Sequence, residues 1–139
     1  MGVLERSMSW EGGLRFEGTG VYGLRLVTDT TKAVGGGEDG FSPSELLLFS
    51  VIACTGMDVV SILKKMRQNV TGLTIDARGS QPDEYPKPFQ SVKLTYNFTG
   101  DQLDRERVER AVELSQTKYC MVSQTISGVA NVTYEIKIN

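Results

Sequence analysis

The hydrophobic positions of the chain change period several times along its length, and each change predicts an element. In the first third, Leu14 and Phe16 stand beside Arg15 and Glu17, and Val21, Leu24 and Leu26 flank Gly23. Gly12-Gly13 and Gly18-Thr19-Gly20 punctuate them, which predicts a glycine-turned meander of about three strands. Residues 30–40, "TTKAVGGGEDG", are too glycine-rich for an element and lack Gly-Lys-Ser/Thr, so they predict a mobile connector and no phosphate loop. At Ser42 the pattern turns helical. Ser42 suits the N-cap, Pro43 the first helical position, and Glu45 closes a capping box. This helix is expected to run to about Arg67–Asn69. It is apolar on nearly every face from Leu46 to Val60, so it should be buried on all sides. One subunit of this size has difficulty surrounding it, which predicts a partner subunit.

Downstream, Leu73, Ile75 and Ala77 alternate with polar residues, as do Val92, Leu94, Tyr96 and Phe98, with "QPDEYPKP" between the two runs. Asp104 caps a second helix with Val108, Ala111, Val112 and Ser115 on one face. A short third helix is expected from Cys120 to near Gly128, and "VTYEIKI" closes the chain as a strand. The predicted order is β-β-β-α-β-β-α-α-β, an α+β fold in one domain over residues 1–139.

Composition narrows the function classes. The 139 residues are 40% hydrophobic and 23% charged, which suits a globular domain with its own core. A net charge of −2 argues against the basic face that nucleic acid requires. Leu46 to Leu63 invites a membrane reading, but Asp58 within it would cost about 2.5–3.5 kcal/mol in lipid. No secretory leader is visible after Met1, so the expectation is a cytoplasmic protein off the membrane, with reduced thiols.

The candidate chemistry rests on two cysteines, Cys54 in the apolar helix and Cys120 in "KYCMVSQT". With no histidine, neither a Cys-His nucleophile pair nor the usual tetrahedral zinc site can be assembled in one chain, so no metal or cofactor is expected. Either thiol can be a small buried hydrophobe. Yet Cys120 stands near a helix start, where backbone N–H groups favour a thiolate, with Lys118 close in sequence. Two thiols of unequal environment suit a peroxidatic and resolving couple.

The blocks "SPSELLLFSVIACTGMDVVSILKKMR" and "VERAVELSQTKYCMVSQTI" resemble the OsmC/Ohr superfamily, most closely its OsmC-like branch, with "GLRFEG" and "VGGGEDGFSP" extending the likeness toward the N-terminus. The resemblance implies an intertwined homodimer with the central helices buried between wrapped sheets. It also implies reduction of organic hydroperoxides, with Cys54 peroxidatic, Cys120 resolving, and an unidentified thiol reductant as partner. Glu45 matches the family's glutamate ahead of the reactive cysteine. Peroxidases of the family pair that glutamate with an arginine. The loop ahead of this helix has only Lys32, with Arg15 and Arg25 earlier, and Met121 stands where the family often has proline.

Two further points come from spacing. Glu45 and Cys54 are nine residues apart, so they point to opposite helix faces roughly 13 Å apart along the axis. Glu45 is then either a cap alone or a contributor to the other subunit's Cys54. Asp58 follows Cys54 by four and shares its face, with a hydrogen-bonded role at the dimer interface as its plain reading. The alternative to a peroxidase is a non-catalytic dimer that binds a small apolar ligand or senses oxidant at its interface.

Overall fold

The computed structural model describes residues 2–139, and they form two compact units, the first ending at Leu47 and the second running Leu48–Asn139. The fold is mixed α+β with two three-stranded sheets.

The first unit holds an antiparallel sheet of β1 (Ser9–Trp10), β2 (Phe16–Thr19) and β3 (Arg25–Thr28), in that order. The meander is shorter-stranded than the alternation predicts: Leu14, Val21 and Leu24 fall in the turns. Gly12, at φ 94°, and Gly23, at φ 81°, supply the left-handed conformations those turns need. The glycine-rich stretch is not a loose connector. The Asp29 carboxylate, 4% exposed, accepts backbone N–H groups from Thr30 at 2.8 Å, Gly37 at 3.1 Å and Asp39 at 3.2 Å. Those donors, Thr30 foremost, hold its carboxyl below the ordinary range. A Cβ at Gly36 would lie 2.1 Å from the Thr30 carbonyl oxygen, so the loop closes only on glycine there.

Helix α1 (Pro43–Lys65) opens on the capping box. Glu45 N–H donates to Ser42 Oγ at 3.3 Å, and the Ser42 N–H and hydroxyl both donate to Glu45 Oε2, at 2.9 and 3.0 Å. Its end comes earlier than the expected Arg67–Asn69. Arg67 adopts φ 59°, its N–H returns to the Lys64 carbonyl, and Gln68 N–H reaches the Leu63 carbonyl at 2.9 Å. That is the paired closure of a left-handed helix cap, made by arginine in place of glycine.

The second unit is built on β4 (Asn69–Ser80), β5 (Ser91–Asp101) and β6 (Asn131–Ile138). β5 is central, antiparallel to β4 and parallel to β6. A parallel pair needs a crossover, and here it consists of α2 (Arg105–Leu114), a five-residue π-turn over Ser115–Tyr119, and α3 (Met121–Ile126). Val92, Leu94, Tyr96 and Phe98 of β5 are fully buried, as their alternation predicts. They join Val51, Val59 and Leu63 of α1, and Val108, Ala111 and Val112 of α2, in one core.

The cover that a single chain gives α1 is one-sided. Within this chain only Val51, Thr55, Val59 and Leu63, a stripe at every fourth residue, are buried. Phe49, Val60 and Met57 remain exposed, Met57 at 72%. By length and composition α1 is apolar enough to cross a membrane, a measure that core helices also meet; here its stripe packs into the core, and its exposed face lies along an apolar cleft of about 660 Å³ lined by Ile52, Gly56, Met57, Val60, Leu73 and Ile75.

The cap at the end of α1 is a checkable strain. A left-handed arginine costs about 1–2 kcal/mol that glycine does not. Arg67→Gly is expected to raise the free energy of unfolding by about 1 kcal/mol in urea titration, less glycine's extra chain entropy.

Candidate active site

The two thiols arrive by different routes. Cys54 lies mid-helix in α1, and Asp58 one turn later shares its face. Cys120 comes at the end of the π-turn, where its N–H donates to the Ser115 carbonyl at 2.7 Å, and becomes the N-cap of α3 with extended backbone. Its sulfur accepts the Ser123 N–H at 3.4 Å, a capping contact usually made by an oxygen. Helix α3 therefore starts one residue after Cys120 and stops at Ile126. The packing brings the Cys54 sulfur, the Cys120 sulfur and a carboxylate oxygen of Asp58 all within 4.8 Å of one another. Both cysteines are free thiols, Cys54 half-buried and Cys120 fully buried.

A buried chain of hydroxyls holds these pieces. Thr55 Oγ1 lies 2.6 Å from Tyr96 Oη and 2.7 Å from Ser115 Oγ. Ser115 Oγ donates to Asp58 Oδ2 at 3.0 Å. Gln116 Nε2 donates to both Thr55 Oγ1 and Tyr96 Oη at 3.0 Å. A carboxylate only accepts, and each hydroxyl has one proton. With Ser115 donating to Asp58, Thr55 must donate to Ser115, and Tyr96 must donate to Thr55. The direction of the whole chain follows from its acidic end. Asp58 is thus hydrogen-bonded, as its plain reading expects, and the donor is Ser115 of the same chain.

The electrostatics of Cys120 are set close by. Burial pushes its thiol above the ordinary range, the Ser123 hydroxyl and N–H draw it down, and Cys54 pushes it up again. The ammonium of Lys118, expected to help, sits 5.1 Å from the centroid of the Tyr119 ring. Burial also pushes the Tyr96 phenol up to about 12.

The remaining candidates are engaged elsewhere. The Glu45 carboxylate binds Ser42 at the start of α1. Arg15 meets Asp39 at 2.7 Å and Glu17 at 3.8 Å, and Arg25 makes a two-point contact with Glu17, all within the first unit. Lys32 donates its backbone N–H to Glu38 Oε2 in a 3₁₀ turn over Lys32–Val34. Sequence reasoning missed Tyr96, Thr55, Ser115 and Gln116 as supports of the site. A signal existed for two: Thr55 and Ser115 are polar residues at positions whose helical spacing belongs to the buried stripe.

Residues 35–135 match the family described as OsmC-like protein. The chain belongs to the OsmC-like family. Protein YhfA of Escherichia coli K12 is 31% identical over 135 residues, covering 97% of this chain and 98% of that one. A crystal structure of a hypothetical protein from Aquifex aeolicus superposes with a TM-score of 0.84 at 30% identity, covering 100% of this chain and 99% of that one. The organic hydroperoxide resistance protein OhrB of Bacillus subtilis shares the fold at a TM-score of 0.68 and 21% identity, over 96% of this chain and 98% of that one.

Removing the middle of the hydroxyl chain leaves buried polar groups without partners, at about 1–3 kcal/mol. Thr55→Val, nearly the same shape, is expected to lower stability by that amount in thermal or urea unfolding. An unchanged midpoint would mean that the chain does not tie α1 to β5 and the π-turn.

Proposed function

We propose that this protein is a homodimeric, cytoplasmic thiol peroxidase that reduces organic hydroperoxides through Cys54 and Cys120. The observation that carries the reading is the approach of two free thiols from separate segments to within 4.8 Å. The substrate class follows the fold neighbour whose name carries organic hydroperoxide resistance. Cys54, the more accessible of the pair, takes the peroxide, and Cys120, fully buried, resolves. The Cys54 thiolate attacks the distal oxygen of ROOH. The O–O bond breaks, Cys54 becomes a sulfenic acid, and the alkoxide takes a proton and leaves as ROH. The Cys120 sulfur then displaces the sulfenic oxygen, which departs as water, and a disulfide forms. A dithiol reductant returns both sulfurs to thiols and is itself oxidised. Glu45 belongs to this proposal as a residue contributed across the dimer, because on its own helix it points away from Cys54.

The dimer is supported by the uncovered face of α1. Met57 and Val60 are exposed beside an apolar cleft, on a helix whose composition is that of a core. A second reading draws on the same cleft and on the pairing of Arg15 and Arg25 with acidic residues. In it the dimer binds a small apolar ligand and the thiols only line the site.

One equivalent of cumene hydroperoxide separates the two. In the peroxidase reading both free thiols of the reduced wild-type chain disappear within minutes, and Cys54→Ser keeps its remaining thiol. Thiols that persist in the wild type over that time would leave only the binding reading. Native mass spectrometry at micromolar concentration is expected to show two chains, and Met57→Asp to shift the population to one.

A further inference from the structure

The thiols do not meet alone, and the third group beside them has no task in peroxide reduction. We propose that Cys54, Asp58 and Cys120 form a three-ligand site for a thiophilic divalent cation of the zinc class. The proposal is independent of the peroxidase reading. Two thiolate sulfurs and one carboxylate oxygen are a donor set zinc accepts, with a fourth position left for water. Around a tetrahedral ion at ordinary bond lengths the donor atoms lie about 3.6–3.8 Å apart. Here they already lie within 4.8 Å, so closing on an ion takes about 1 Å of side-chain adjustment and no change of fold.

The surroundings are those of a held ligand set. Ligating carboxylates are commonly fixed by a hydrogen bond from behind, and Asp58 Oδ2 accepts one from Ser115 at 3.0 Å. Cys120 Sγ already accepts the Ser123 N–H. The Ser123 hydroxyl is an independent pointer: it is buried, at 2% exposed, and lacks a hydrogen-bond partner of ordinary geometry. A metal-bound thiolate would give it an acceptor. Entry is available, because Asp58 borders a cleft of about 500 Å³ lined also by Met57, Ser61, Ile62, Leu114 and Tyr119.

Binding converts each thiol to a thiolate, with its proton passing to solvent and no change of oxidation state. The ion and the disulfide therefore exclude one another, since the same sulfurs cannot serve both.

The test uses the reduced full chain under anaerobic conditions, titrated with Co²⁺ as a coloured stand-in for Zn²⁺. Thiolate-to-cobalt charge-transfer absorption is expected to saturate at one ion per chain and to vanish when Zn²⁺ is added. Asp58→Asn, with its fold checked by circular dichroism, should keep the absorption but bind about tenfold more weakly, a loss of the size seen when one group of a metal site is removed. Cys120→Ser should abolish the charge-transfer band. Excess Co²⁺ without that band in wild type overturns the site, and unchanged affinity in Asp58→Asn removes Asp58 from it. Neither result bears on peroxide consumption, which the cumene hydroperoxide assay reads in the absence of metal.

Discussion

Everything near the candidate site depends on one buried hydroxyl. Thr55 occupies a position in the core stripe of α1 that an aliphatic residue would otherwise fill, between Val51 and Val59. A buried hydroxyl without partners is costly, so it must find them, and it finds Tyr96 on β5 together with Ser115 and Gln116 at the start of the π-turn. Apolar contact is non-directional and would tolerate a rotation or slide of the helix. Hydrogen bonds at 2.6 and 2.7 Å would not. With Thr55 turned into the core, its neighbour Cys54 and Asp58 come to the side where Cys120 lies.

The π-turn has a matching role. A regular α-helix continued from α2 would carry Ser115 and Cys120 in a different relation. The wide turn closes Cys120 N–H onto the Ser115 carbonyl and sets the cysteine at the N-cap of α3. Wide turns of this kind recur at functional sites because they re-aim side chains within an otherwise regular helix. Here Ser115 faces Thr55 and Asp58 while Cys120 faces Cys54.

The influences on the Cys120 thiol come from its immediate neighbours. Arg15 and Arg25, ahead of α1, are bound within the first unit to Glu17 and Asp39, and Lys118 rests on Tyr119. Near Cys120 the influences that favour a thiolate are the Ser123 hydroxyl and N–H, set against burial and Cys54. The Asp58 carboxylate lies beside the sulfurs. In the peroxidase reading, ionisation of Cys120 draws on helix-cap contacts; in the metal reading a bound cation provides positive charge at both sulfurs.

Local chemistry was legible in the residues themselves. The capping box of Ser42, Pro43 and Glu45 marks the start of α1 because its partners are three residues apart, and the alternation of Val92 to Phe98 marks a strand buried on one face for the same short-range reason. Where a partner is remote, the residues were silent. The end of α1 depends on a left-handed Arg67 that no propensity favours, and the order of the glycine-rich loop depends on the buried Asp29 carboxylate. Cys54 and Cys120 are 66 positions apart, 120 minus 54, and no local preference acts over that separation. The sequence by itself determined which segments hold the helices and the long strands, and that one helix is apolar on nearly every face. Only the tertiary structure decided that two sulfurs and a carboxylate meet, because their approach is set by hydrogen bonds from Thr55 to a strand and a turn that lie far along the chain.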